Sequence, residues 1–237
     1  MATRSGFVPE AVFKFDHLDT RVQNHLKRVY GCLAMSMFAA AAGAYVHLFT
    51  NLMQAGFITA IISIGLMIWL ACTHHSKENE TKRVAIFTGF TFLAGMSLGP
   101  LLDNIIRIDP SIIMTAFLGT SVIFISFSLA ALYNQNRTFL YMGGFLLSAL
   151  SWLILVGLMN IFFGSKFLYD INLYGGLLLF CAFILYDTQL IIEKARLGDE
   201  DYIWHSVDLF LDFINIFRRL LIILASKKDE GEKKRRN

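Results

Sequence analysis

Between Tyr202 and Leu220 an otherwise apolar run carries His205, Asp208, Asp212, Asn215 and Arg219. Wound as a helix at about 100° per residue, these five side chains fall within an arc of roughly 80°. The remaining surface is mostly apolar, with Ile203, Leu209, Phe210, Phe213, Ile214, Phe217 and Leu220. An ionised Asp at the centre of a membrane helix costs roughly 2.5–3.5 kcal/mol on insertion scales, so such an acid is expected to have a partner. A second apolar run, "GLLLFCAFILYDTQLII", contains one acid, Asp187. Asp187 lies roughly 9 Å from one end of its helix and Asp212 roughly 14 Å from the start of the next. A short link makes the two helices antiparallel neighbours, so the carboxyls are expected to face each other. At about 4 Å and an effective dielectric near 20, two carboxylates repel by about 4 kcal/mol. Such a pair shares a proton and can act as a latch sensitive to pH.

The elements that must hold this pair are membrane helices. Only 16% of the 237 residues are charged and 56% are hydrophobic, against about 25% charged in a soluble domain. Apolar segments of bilayer-spanning length run near Tyr30–Phe49, Leu52–Cys72, Val84–Leu102, Ile112–Leu132, Phe139–Met159, Leu173–Ile192 and Ile203–Ala225. Backbone groups in lipid must pair within the segment, so the segments are helical. The reading is all-α: a polytopic bundle of six transmembrane helices plus a seventh, polar-striped helix that is either central or re-entrant. Residues 1–28 form a polar arm without a signal-peptide core, residues 29–225 the membrane bundle, and residues 226–237 a basic tail. A soluble bundle is excluded by the fourth and fifth segments, which have almost no polar face.

Basic residues set the orientation. Arg4, Lys14, Arg21, Lys27 and Arg28 precede the first segment, and Lys77, Lys82, Arg83, Lys194 and Arg196 occupy the second and sixth links. The N-terminus is therefore expected in the cytosol. The tail "SKKDEGEKKRRN" is equally basic and is expected there too, which requires the last segment to turn back. Asn79-Glu80-Thr81 and Asn136-Arg137-Thr138 match the glycosylation acceptor pattern, but both fall in links placed on the cytosolic side. Gly95 and Gly99, and Ala39 and Gly43, have the small-residue spacing of close helix contacts, and Pro100 is expected to end the third helix. Asp103, Asp109 and Asp170 collect in links on the luminal side, where oxygen ligands can draw a hard cation to a mouth. Cys32, Cys72 and Cys181 each lie in an apolar run and have no metal-ligand spacing. Nothing in the chain indicates a cofactor, a bound metal or nucleic acid.

These residues carry a family resemblance. "NLYGGLLLFCAFILYDTQLIIEKA", "GDEDYIWHSVDLFLDFINIFRRLLIILA", "AAAAGAYVH" and "GMSLGP" resemble the sixth, last, first and third helices of the Bax inhibitor-1 family, the endoplasmic-reticulum branch of the transmembrane Bax inhibitor motif proteins. The resemblance spans nearly the whole chain. It implies a non-enzymatic, multi-pass protein of the endoplasmic-reticulum membrane that suppresses cell death and forms a pH-sensitive calcium leak. It also implies restraint of the stress-sensing kinase–ribonuclease of that membrane and association with anti-apoptotic Bcl-family proteins. The family's paired aspartates map to Asp187 and Asp212. Bacterial members latch this pair with a second-helix arginine. Residues 52–72 contain no Arg or Lys, which leaves Arg219 or His205 as the basic candidates on the stripe. Two other classes compete. A non-conducting scaffold would use the stripe only to hold the bundle together. An intramembrane aspartyl protease would share the Tyr186-Asp187 pair, but Asp212 lacks the Gly-x-Gly-Asp context of those enzymes.

Overall fold

The computed structural model describes residues 18–50, 57–134 and 136–236. Arg4 and Lys14 of the basic arm, and the start of the second apolar segment, lie outside the described residues. Nine α-helices appear among those described. They are α1 (Thr20–Phe49), α2 (Phe57–Cys72), α3 (Glu80–Ser97), α4 (Gly99–Ile108), α5 (Ser111–Tyr133), α6 (Gly143–Phe163), α7 (Lys166–Asp170), α8 (Gly176–Leu197) and α9 (Tyr202–Arg236). A 3₁₀ turn, Thr138–Met142, precedes α6, and a π-helical segment, Ile171–Gly175, joins α7 to α8. Five spans are long and apolar enough to cross a membrane: Thr20–Phe49, Glu80–Ile108, Ser111–Tyr133, Thr138–Phe163 and Lys166–Leu197. Helix α2 is shorter, at 16 residues. The third helix ends at Ser97, just before Pro100. Pro100 sits in the first turn of α4, where its missing N–H costs nothing, and the span continues to Ile108.

The outside of the bundle is apolar. Phe38, Ile64, Val122, Phe145, Ile161 and Leu178 are all largely exposed. That surface suits lipid and would be an aggregation hazard in water. The most polar helix, α9, is the most enclosed. It packs against α8, α1, α5, α4 and α3, and Ile203, Val207, Leu209, Phe210, Ile216 and Leu221 are each at most 1% exposed. These residues point in several directions, so α9 is surrounded and is not lying on a surface.

Helix α9 is also unbroken over 35 residues, roughly 52 Å. Its start lies beside α1 and α3, where Arg21 meets Glu200 and Tyr202 meets Glu80. Its other end reaches the α4–α5 link, where Lys228 meets Asp109. We refer to the end of the bundle holding Thr20 and Tyr202 as the near end and to the opposite one as the far end. The expectation of a tail on the same side as the N-terminal arm is thereby corrected. No Gly or Pro between Tyr202 and Ser226 permits a reversal, and neighbours bury the apolar side chains of α9 along its whole length. The helix accordingly crosses and delivers Lys228 to the far end.

Close packing of α1 on α3 depends on two glycines. A Cβ at Gly43 would run into the Phe92 carbonyl, and one at Gly95 into the Ala40 backbone. Small residues permit such backbone approach in lipid. At the near end, Gly198 adopts φ +98°, and the chain turns from α8 into α9 within four residues. Only glycine takes that conformation without strain.

Candidate functional site

Asp187 comes from the middle of α8 and Asp212 from the middle of α9. The antiparallel packing of these two helices sets the two carboxyls close enough to interact directly. Asp212 is 3% exposed, and its Oδ2 has no hydrogen-bond partner among the described residues. Asp208, one turn nearer the start of α9, lies within electrostatic reach of both. The pair is held in an apolar frame: Phe213, next to Asp212, meets Phe124 of α5 edge to face at 5.7 Å between ring centroids. One residue beyond Asp187, Thr188 is fully buried, and its hydroxyl lies near those of Tyr30 on α1 and Ser128 on α5. None of these three hydroxyls makes a well-formed hydrogen bond. They form a polar seam beside the acids that sequence patterning does not single out, because each is one hydroxyl in an apolar helix.

The rest of the stripe divides between the two ends. His205 is at the near end, buried, with Nδ1 2.9 Å from His25 Nε2. Asn215 donates back to the Leu211 carbonyl at 2.8 Å. Arg219 lies toward the far end, with its guanidinium over the Phe180 ring at 5.2 Å. Among the described residues neither His205 nor Arg219 forms an ion pair with Asp187 or Asp212.

The buried cation of this bundle is Arg83, at 3% exposure. It donates to both carboxylate oxygens of Asp201 at 2.8 and 2.6 Å, and its Nη1 lies 3.0 Å from His75 Nδ1. Asp201 also caps α9, since its Oδ1 accepts the Trp204 N–H at 3.1 Å. Burial opposes the charge on Asp201, but the Arg83 fork and the Trp204 N–H together hold its carboxyl below the usual range. Beside it, Arg21 holds the Glu200 carboxyl low. Sequence reading counts Arg83 as one more basic residue in a link. A lone Arg just before an apolar run reads as a snorkelling charge, and only the fold reveals its partner, 118 residues away.

The three acids expected at a mouth are spread over the far end. Asp103 pairs with Arg107 at 3.0 Å and Asp109 with Lys228 at 2.9 Å. Ser111 and Lys228 hold the Asp109 carboxyl down at about 2. Asp170 lies on α7. Among the described residues, no group of three or more His, Cys, Asp and Glu side chains is placed to hold a metal ion.

A family model described as "Inhibitor of apoptosis-promoting Bax1" matches residues 22–229. Bax inhibitor 1 of Bos taurus is 54% identical over 226 residues, which cover 95% of this chain and 96% of that protein. Bax inhibitor 1 of Homo sapiens is 53% identical over 227 residues, 96% of each chain. The Arabidopsis thaliana protein of the same name is 44% identical over 225 residues, 94% of this chain and 89% of its own length.

Proposed function

The chain belongs to the Bax inhibitor 1 family of multi-pass membrane proteins, and from that premise we propose that it suppresses cell death from within the endoplasmic-reticulum membrane by setting a pH-sensitive calcium leak. The observation that carries this reading is the contact between Asp187 and Asp212 at the centre of the bundle. Two carboxyls in contact and largely out of water cannot both be ionised at low cost. Their proton count therefore couples to the spacing of α8 and α9. Loss of the shared proton sets two like charges against each other and its return relieves that repulsion, so protonation changes how α8 and α9 pack. Calcium is the permeant ion, and the polar seam of Tyr30, Ser128 and Thr188 supplies oxygen groups beside the acids. Restraint of the stress-sensing kinase–ribonuclease and association with anti-apoptotic Bcl-family proteins complete the proposal as partner interactions of the same bundle.

Calcium flux through the purified protein in liposomes tests the leak. Flux is expected to respond to acid, in the stimulatory direction that the family resemblance implies. Asp187→Asn and Asp212→Asn each remove one titrating partner and are expected to flatten the pH response near neutrality, whatever happens to the size of the leak. Asp208→Asn is expected to keep that response. A normal pH profile in both pair variants, or loss of the response in Asp208→Asn alone, sinks the latch.

One observation favours a second reading, a non-conducting scaffold. Arg218 and Arg219 lie between the acid pair and the far end without a carboxylate in ion-pair contact among the described residues, and such charges repel a divalent cation. Liposomes that hold correctly folded protein and show no calcium flux at any pH would establish the scaffold.

A further inference from the structure

A cavity of about 350 Å³ opens at the far end between α6, the π-helical segment and α9. Its polar lining is Asn160, Asn172, Asn215, Arg218, Arg219 and Tyr169. No Asp or Glu lines it, and among the described residues neither arginine forms an ion pair. The Arg219 Nε–H is buried and has no hydrogen-bond acceptor among the described residues. Arg219 is half-buried over the Phe180 ring, and a guanidinium held partly out of water without a counter-ion is costly; exposed Arg218 adds a second positive charge beside it. An anion held between them removes that cost.

The local backbone is shaped to keep this space. The π-helical turn at Ile171–Gly175 shifts Asn172 to donate to the Leu153 carbonyl of α6 at 2.8 Å, and π segments of this kind recur at binding sites. Gly176 has no side chain where the Arg219 guanidinium lies; a Cβ there would overlap it. A Cβ at Gly157 would stand 3.2 Å from the Asn172 amide nitrogen. Tyr169, which lines the cavity, and Tyr174 are both partly exposed, as in the Tyr and Trp belt at the level of lipid headgroups.

We propose that this cavity binds a phosphate-bearing anion, with Arg218 and Arg219 as its charged donors and the Asn160 and Asn172 amides completing the shell. Paired guanidiniums suit phosphate oxygens, which accept two parallel N–H donors from each. The anion is either the headgroup of an anionic lipid or free phosphate; the two tyrosines place the site where a headgroup lies. The inference stands whether or not the acid pair gates calcium.

The full-length protein in a neutral detergent is titrated with dihexanoyl phosphatidate, with inorganic phosphate, and with dihexanoyl phosphatidylcholine as the zwitterionic control. Binding is read by native mass spectrometry and by the rise in unfolding temperature. Arg218→Gln, whose side chain is exposed, and Arg219→Gln are expected to weaken phosphatidate binding by at least roughly tenfold each. Arg218→Gln alone keeps the test valid if Arg219→Gln misfolds. Arg218→Lys is expected to recover part of the affinity, which a merely structural role would not predict. Binding of phosphatidate but not inorganic phosphate assigns the site to a lipid headgroup, and equal binding of both assigns it to the free ion. Equal affinity of wild type and Arg218→Gln for phosphatidate overturns the proposal, as does phosphatidate binding no tighter than phosphatidylcholine with no binding of phosphate.

Discussion

The two ends of α9 solve the same problem in opposite ways. At the near end the chain supplies both signs of charge. Arg83 grips Asp201 with two hydrogen bonds, Arg21 meets Glu200, and Tyr202 donates to Glu80 at 2.7 Å. At the far end the ion pairs that Asp103, Asp109 and Asp229 make with Arg107, Lys228 and Lys233 are all partly or largely exposed, while Arg218 and Arg219 face a cavity without an acid. The near end sets the register of the central helix from within. The far end leaves positive charge for something outside the chain. A buried charge must have a counter-charge in contact, so the difference marks where this protein is closed and where it is open.

The largest test of that contrast is Arg83→Met. It strands Asp201 beside the core, and a broken buried ion pair costs about 3–5 kcal/mol. A lower unfolding temperature in detergent is expected, with most of the loss recovered in Arg83→Met/Asp201→Leu. If Arg83→Met melts like wild type, the near end is not held by this pair. Asp201 also caps the helix, and the two roles separate. Asp201→Ser keeps a capping oxygen and Asp201→Ala does not, so the alanine variant should be less stable by about 1 kcal/mol in the same melting assay.

Arg21→Ala sharpens the comparison from the other direction. Arg21 and Glu200 are both about 60% exposed, and pairs so exposed contribute little to stability. Its melting shift should be a small fraction of that of Arg83→Met.

The smallest effect concerns pH at the far end. The Asp109 carboxyl is depressed to about 2, against an unfolded value near 4. A depressed acid contributes its pairing above the unfolded value and loses it as pH falls through the folded one. The tether to Lys228 should therefore hold from neutrality down to about pH 4 and fail between about pH 4 and 2. Spin labels on the α4–α5 link and on the tail report this. A distance change between pH 7 and 6 would show that a group other than Asp109 controls the far end.

Much of the bundle was legible because lipid imposes simple rules. Within the described residues, all seven apolar runs fall on helices of the structure, since length and hydropathy suffice for that inference. The small residues Gly43 and Gly95 proved to be backbone contacts, since spacing alone marks a close-packed face. Asp187 and Asp212 stood out because an acid in an apolar run is rare, and similar depth on adjacent helices suggested that they meet. Arg83 did not stand out, because a basic residue at a helix end is the ordinary case. The destination of the tail was misread for a related reason. Charge bias records how helices insert, but the path of α9 is decided by the neighbours that bury it along its length.

The amino-acid sequence by itself determined the membrane class, the all-helical architecture, the family and the identity of the two central acids. Each is a property of composition, period or local motif, and none depends on which residues meet across the bundle. Only the tertiary structure decided that the most polar helix stands at the centre, that Arg83 and not Arg219 carries the buried ion pair, and that two arginines converge on an acid-free cavity. Those outcomes depend on contacts between residues distant in the chain, where burial, and not residue type, decides whether a charge must find a partner.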